Sequence, residues 1–270
     1  SGANGLIFTS SGGTLDGVTV RGAMTVGDAA NPSGRVRIDN GLTLLTEAGG
    51  SPGVMNVGTE AGTFGIVGFT GTQSFDNATI NLGNAALGGT GNLSLDAGGT
   101  FTLGSNAVVQ GQGSVGGAWF VGGTNNLINN GTISANQNGG GLGINNSGTL
   151  SNTGVLEARN GGILSIGSGG TWSNAGTILV ADATSTVNLG GTFSNSALGS
   201  FNNAAGGNLN LTGTLNNSAA TLSFTPATGS MGMVGGTITG GTVQQSGANG
   251  LIFTSSGGTL DGVTVRGAMT

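Results

Sequence analysis

Residues 127–178 read LINNGTISANQNGGGLGINNSGTLSNTGVLEARNGGILSIGSGGTWSNAGTI. The pattern apolar-x-Asn-x-Gly-x-apolar occurs three times in this stretch: LINNGTI from Leu127, LSNTGVL from Leu150 and WSNAGTI from Trp172. It continues in looser form as FSNSALG from Phe193, LNNSAAT from Leu215, ITGGTV from Ile238 and LDGVTV from Leu260. The leading apolar residues are 23, 22, 21, 22, 23 and 22 positions apart. A second column moves in step: Ile144, Ile166, Leu189 and Leu211, at intervals of 22, 23 and 22. Each of these four closes a short alternating run (LGI, LSI, VNL, LNL). Period-two alternation marks a half-buried strand, and no 3.6-residue pattern competes with it.

Short strands that recur about every 22 residues without helices predict an all-β chain wound as a β-solenoid of stacked parallel strands, one coil per period. Equivalent positions of successive coils then lie above one another, about 4.8 Å apart. Leu127, Leu150, Trp172, Phe193, Leu215, Ile238 and Leu260 form an apolar ladder, and Asn129, Asn152, Asn174, Asn195 and Asn217 a polar one. Two properties suit Asn to such a corner. It tolerates left-handed backbone, and its amide bonds up and down a stack. Gly240 and Gly262, which replace it later, also accept a left-handed conformation.

Towards the N-terminus the ladder is less even. Counting forward from Leu15, it passes through Ile38, Phe75, Leu103 and Leu127, at intervals of 23, 37, 28 and 24. Residues 46–73 fill the long gap, as an irregular coil or an extended loop. Residues 1–25 return letter for letter at 246–270. The expected organisation is therefore one tandem unit, 1–245, followed by the start of an identical copy, 246–270. The expected partners are further copies end to end, each covering an otherwise open sheet edge.

Composition narrows the function. Gly accounts for 61 of 270 residues, charged residues for 6%, and Pro for only 3. Ordinary soluble domains carry about a quarter charged residues and about 7% Gly. Collagen is excluded by the lack of Pro, and disorder by the regular recurrence of apolar residues. With a net charge of −5 and only five cations (Arg21, Arg35, Arg37, Arg159, Arg266), the chain has no basic patch for nucleic acid. No apolar run reaches the ~18 residues of a membrane span, so no membrane insertion is expected.

Cys and His are absent, which removes thiolate and imidazole metal sites. A phosphate loop needs a Lys, and there is none. GGTGNLSLD at 88–96 begins like a calcium-binding repeat loop, but Leu93 stands where an acid is required and Asp96 alone is not enough. Asp16 and Asp39 occupy the same motif position 23 residues apart, with Arg37 nearby, and read as surface acids beside a corner rather than a catalytic pair. Neither catalysis nor a cofactor is expected. In GGAWFVGG, Trp119 and Phe120 are the candidate ligand contacts; adjacent strand residues face opposite ways, and Trp119 is expected in the core. Trp172 is expected in the core as well. Thr149, Thr171, Thr192, Thr214, Thr237 and Thr259 flank the ladder, beside a column of Ser, Asn, Thr and Asp, as two outward polar rows. An ice-binding face is a remote reading of such rows.

The stretch INNGTISANQNGGGLGINNSGTLSNTGVLEARNGGILSIGSGGTWSNAGTI resembles the β-helical stalks of bacterial surface proteins: autotransporter passengers, filamentous-haemagglutinin-like adhesins and giant repeat proteins. The resemblance is good over roughly 75–270 and rests on composition and period. It implies a right-handed parallel β-helix, secretion to the bacterial cell surface, and a structural or adhesive role towards a host cell, a neighbouring cell or a polysaccharide. It supplies no catalytic residues. A polysaccharide-binding or polysaccharide-degrading β-helix is the alternative it leaves open.

Overall fold

The computed structural model describes residues 6–50, 52–167 and 169–267. Among these the chain is a parallel β-solenoid of three walls, visited in a fixed order from the strand Phe64–Thr70 onward; the two coils before it pass from the first wall to the third without a second-wall strand. The first wall is one sheet of 11 strands, from Thr14–Arg21 to Leu251–Phe253. The chain then crosses to the second wall. This is a five-stranded sheet (Gln73–Phe75 to Trp172–Asn174) followed by a four-stranded one (Thr192–Ser194 to Thr259–Asp261). A bridge between Thr171 and Thr192 joins the two. The third wall is an eight-stranded sheet ending at Ser200–Asn202, followed by a three-stranded one ending at Thr264–Arg266. All pairings between these strands are parallel.

Alternation puts every second strand residue inside. On the first wall the inward column Val36, Val67, Leu93, Val115, Ile144, Ile166, Leu189, Leu211, Met233 and Phe253 is in unbroken register. All but Phe253 are buried, and this column contains the four residues of the second sequence column. On the second wall Phe101, Leu127, Leu150 and Trp172 stack in register, as do Phe193, Leu215, Ile238 and Leu260. The Trp172 ring lies 4.2 Å from that of Phe193, so the ladder crosses the sheet break. One apolar cluster runs through the whole stack. At about 25 cal/mol per Å² removed from water, this cluster is the main force holding successive coils together.

The motif now has a physical explanation. Gly131, Gly154 and Gly176 sit at the corner between the second and third walls. A Cβ on Gly154 would lie 2.0 Å from the Gly131 carbonyl oxygen, and one on Gly176 2.1 Å from that of Gly154. The stacked corners therefore admit only glycine. The Asn two residues earlier points inward and supplies hydrogen bonds where the strands end. Asn129 Nδ2 donates to Asn152 Oδ1 and Asn152 Nδ2 to Asn174 Oδ1, each at 2.6 Å. Asn174 Nδ2 finishes the chain on the carbonyls of Leu198 and Ser200. A second short chain joins Asn195 to Asn217 at 2.6 Å. None of these five Asn has a positive φ, so left-handed backbone is not why Asn is there. Gly240 (φ 71°) and Gly262 (φ 62°), which replace them, are left-handed.

Three further expectations are corrected by the structure, and the open alternative for residues 46–73 is decided in favour of a coil. Leu127 follows Phe101, not Leu103; Leu103 and Phe75 stack on Asn129, one inward position further along. Leu15 and Ile38 belong to the first wall, in line with Phe69 and Leu95, because the strands there are long enough to reach past the usual corner. Residues 46–73 form no protruding loop: they supply Val54–Val57 to the third wall, Phe64–Thr70 to the first and open the strand Gln73–Phe75. Finally, the chain is not free of helix: Asn195–Leu198 makes one helical turn, capped by Ser194 Oγ, at the corner where both wall breaks occur.

The repeated segment is not placed equivalently. Thr14–Asp16 pairs with Arg37–Asp39 on the first wall, whereas the identical Thr259–Asp261 pairs with Thr237–Thr239 on the second. Gly17 lies at a register shift inside one long strand; its counterpart Gly262 turns a corner between two short ones. Residues 1–5 and 268–270 of the two copies lie outside the described residues.

Candidate functional site

One segment breaks the regular coil. After Gly113–Val115 the other coils cross to the second wall through a short turn. Here nine residues, 116–124, lead to Asn125–Asn129. The reason lies beneath them. Phe64–Thr70 and Thr90–Asp96 are seven residues long, and their ends extend the first wall into a shelf. The loop folds back over the outer surface of that shelf.

Asp96 anchors it. This side chain is 1% exposed, and its Oδ1 accepts the backbone N–H groups of Trp119, Phe120 and Val121 at 2.9, 2.7 and 2.9 Å. Its Oδ2 accepts from Ser94 Oγ at 2.5 Å, and that hydroxyl oxygen also takes the Trp119 N–H at 2.8 Å. The Ala97 N–H donates to the Val121 carbonyl at 2.9 Å, and the Gly98 N–H to Asn125 Oδ1 at 2.9 Å. Three successive N–H groups converging on one carboxylate oxygen make an anion nest turned inward. Asp96 holds the loop. Among the described residues no group of three acids could hold a metal ion.

The loop's aromatic residues part company. Phe120 lies over Gly68, where a Cβ would meet its ring at 2.7 Å, and the Arg37 guanidinium sits 5.8 Å from the ring centroid. Trp119 lies beside Phe64, with ring centroids 5.4 Å apart. Ile66 points outward between them and is nevertheless 1% exposed. Trp119 itself is 50% exposed and Val121 44%. The expectation that Trp119 is a core residue is therefore wrong. The loop leaves the strand path before the alternation rule can apply. Trp172, in contrast, is buried, with its indole N–H donating to the Gly190 carbonyl at 2.9 Å.

The other candidates are placed as follows. Asp16 and Asp39 are direct neighbours in register, and Asn40 Nδ2 donates to Asp16 Oδ1 at 2.7 Å. The Thr column of the second wall is in register from Thr171 through Thr192, Thr214 and Thr237 to Thr259. Ser173 stacks on Ser151, and Ser194, Asn216, Thr239 and Asp261 form the neighbouring row. A shallow groove of about 460 Å³ runs along both rows at Thr149, Thr171 and Thr192. Outer amides also form ladders that the motif search did not find. Asn56, Asn81, Gln110 and Asn136 are linked at 2.9, 2.9 and 3.0 Å, and Ser165, Asn188 and Asn210 at 3.1 and 3.0 Å. Two sequence signals could have found them: polar residues at the alternate strand position, and the same 22-residue period.

No family model, curated protein or solved structure matches this chain. No helix among the described residues is long and apolar enough to cross a membrane.

Proposed function

We propose that this chain is a stiff, non-catalytic repeat segment of a secreted bacterial surface fibre, whose units stack end to end and serve adhesion or cell–cell contact. The supporting observation is the first wall: one 11-stranded parallel sheet with a continuous buried column and, among the described residues, an edge strand at each end. Such a stack lengthens by repetition without changing its cross-section, which is the requirement for a rod. The verbatim return of residues 1–25 at 246–270 is what a tandem array of such units predicts, although the two copies of the segment lie on different walls. Exposed Ile252 and Phe253 at the last strand of that wall are the apolar surface a following coil would cover.

The test is the length of concatemers carrying two and three copies of residues 1–245, measured by negative-stain electron microscopy. Ten of the first-wall strands lie within residues 1–245, and ten coils at about 4.8 Å give an increment of roughly 50 Å per unit. Rods that grow by that step support the reading. Beads on flexible linkers, or units that pack side by side, refute it.

A further inference from the structure

We infer that the loop 116–124 is a carbohydrate-binding site that takes the flat apolar face of a neutral hexose unit of a polysaccharide on the indole of Trp119. The site stands apart from the fibre reading and would survive the failure of the concatemer test.

The first argument is immobilisation. A half-exposed Trp on a mobile loop is commonplace, but this one is fixed by three backbone N–H bonds to a carboxylate that is itself buried. Desolvating a carboxylate is costly unless it is fully bonded. The shelf thus commits its one buried Asp to holding a large apolar ring in water. Binding to a ring already fixed costs less ordering entropy than binding to a free one.

The second argument is access. Gly117, Ala118, Gly122 and Gly123 flank the aromatic residues, so these loop neighbours put no long side chain beside the indole. Phe64 lies against it at 5.4 Å, and Trp119 remains 50% exposed.

The third is chemistry. The exposed apolar surface amounts to two side chains, Trp119 and Val121. A specific protein interface needs about 800 Å² per partner, far more than this. A flat ligand with one apolar face and a rim of hydroxyls fits the area. The charge of Arg37 beside Phe120 is offset by Asp39, two residues along the same strand face, so the surface offers an anionic sugar no net attraction.

The test is affinity electrophoresis through gels containing hydroxyethylcellulose, galactomannan or dextran, with Trp119→Ala and Trp119→Phe beside the wild type. Circular dichroism checks that the exposed substitution leaves the fold intact. The expected result is retention of the wild type by at least one polymer, weakened about tenfold or more in Trp119→Ala and less in Trp119→Phe. Tryptophan emission should shift on titration with that polymer in the wild type and not in Trp119→Ala, because Trp172 is buried. Retention by none of the polymers, or retention that Trp119→Ala leaves unchanged, overturns the proposal. Self-association in sedimentation that Trp119→Ala abolishes, without polymer retention, also overturns it and assigns the surface to protein docking.

Discussion

Replacing Asn152 with Ala should cost far more than the same change at Asn129, although both are buried in one hydrogen-bonded ladder. Asn152 is the middle member: it accepts from Asn129 and donates to Asn174, both at 2.6 Å. Its removal leaves one Asn129 N–H and the Asn174 Oδ1 buried without partners. At about 1–3 kcal/mol for each orphan, the loss is about 2–6 kcal/mol before any cavity term. Asn129 is the end member. Its register neighbour on the other side is Leu103, and its own Oδ1 already has no partner. Asn129→Ala leaves Asn152 Oδ1 unpaired but removes an orphan of the same kind, so the polar terms nearly cancel. What remains is about 1 kcal/mol of lost packing. Guanidinium unfolding followed by circular dichroism reads the two midpoints. Native-state hydrogen exchange at the amides of Thr153 and Ala175, which donate to the Asn129 and Asn152 carbonyls, reads the local effect even if the solenoid unfolds in stages. The double variant should show coupling of about 1 kcal/mol or more. Equal destabilisation by the two single changes, or a larger effect at Asn129, would refute the reasoning that the ladder's value lies in its paired members.

Two further outcomes follow from the corners. Gly154→Ala should destabilise by about 1–3 kcal/mol in the same unfolding assay, because its Cβ has only backbone to displace; Gly141→Ala, with nothing within 4 Å of the added carbon, should stay within about 0.5 kcal/mol. Asp182 accepts from Thr184 Oγ1, Ser185 Oγ and the N–H groups of Thr184 and Asn160, tying the turn of one coil to that of the preceding one. The Thr184 hydroxyl, then Ser185 and the two N–H groups, hold its carboxyl at about 2 against an ordinary 3.8. A depressed folded value means stability that is fully present above about pH 4 and is lost as pH falls through about 2. Thermal unfolding of wild type and Asp182→Asn should therefore differ at pH 6 and converge near pH 2; a constant gap across that range would remove Asp182 from the account.

How much of this was legible in the sequence depended on whether a residue repeats. The ladder from Leu127 to Leu260 and the buried Asn129, Asn152 and Asn174 could be read because stacking forces one chemical solution onto every coil. The role of Gly in the motif was not read, since a carbonyl of the previous coil 2.0 Å from a Cβ that does not exist leaves no trace but the glycine itself. The N-terminal register went wrong where strands lengthen: Phe64–Thr70 and Thr90–Asp96 carry extra residues, so counting from one apolar residue to the next lands on Leu103 when the stacked partner is Phe101.

The aromatic loop failed for the opposite reason: it occurs once, and period reasoning has nothing to say about an exception. Yet the exception is spelled in the chain. Asp96 is an acid at the end of a strand with no cation near it in sequence, and 23 to 25 residues later come three residues whose backbone N–H groups it binds. One coil is roughly that long, so an unpaired acid and a glycine-flanked insertion one period apart are stacked neighbours. In a solenoid the useful question about a non-repeating residue is therefore what lies one period away. Asked of Asp96, it leads to Trp119, and Trp119 is then exposed because its backbone, not its ring, is what the shelf holds.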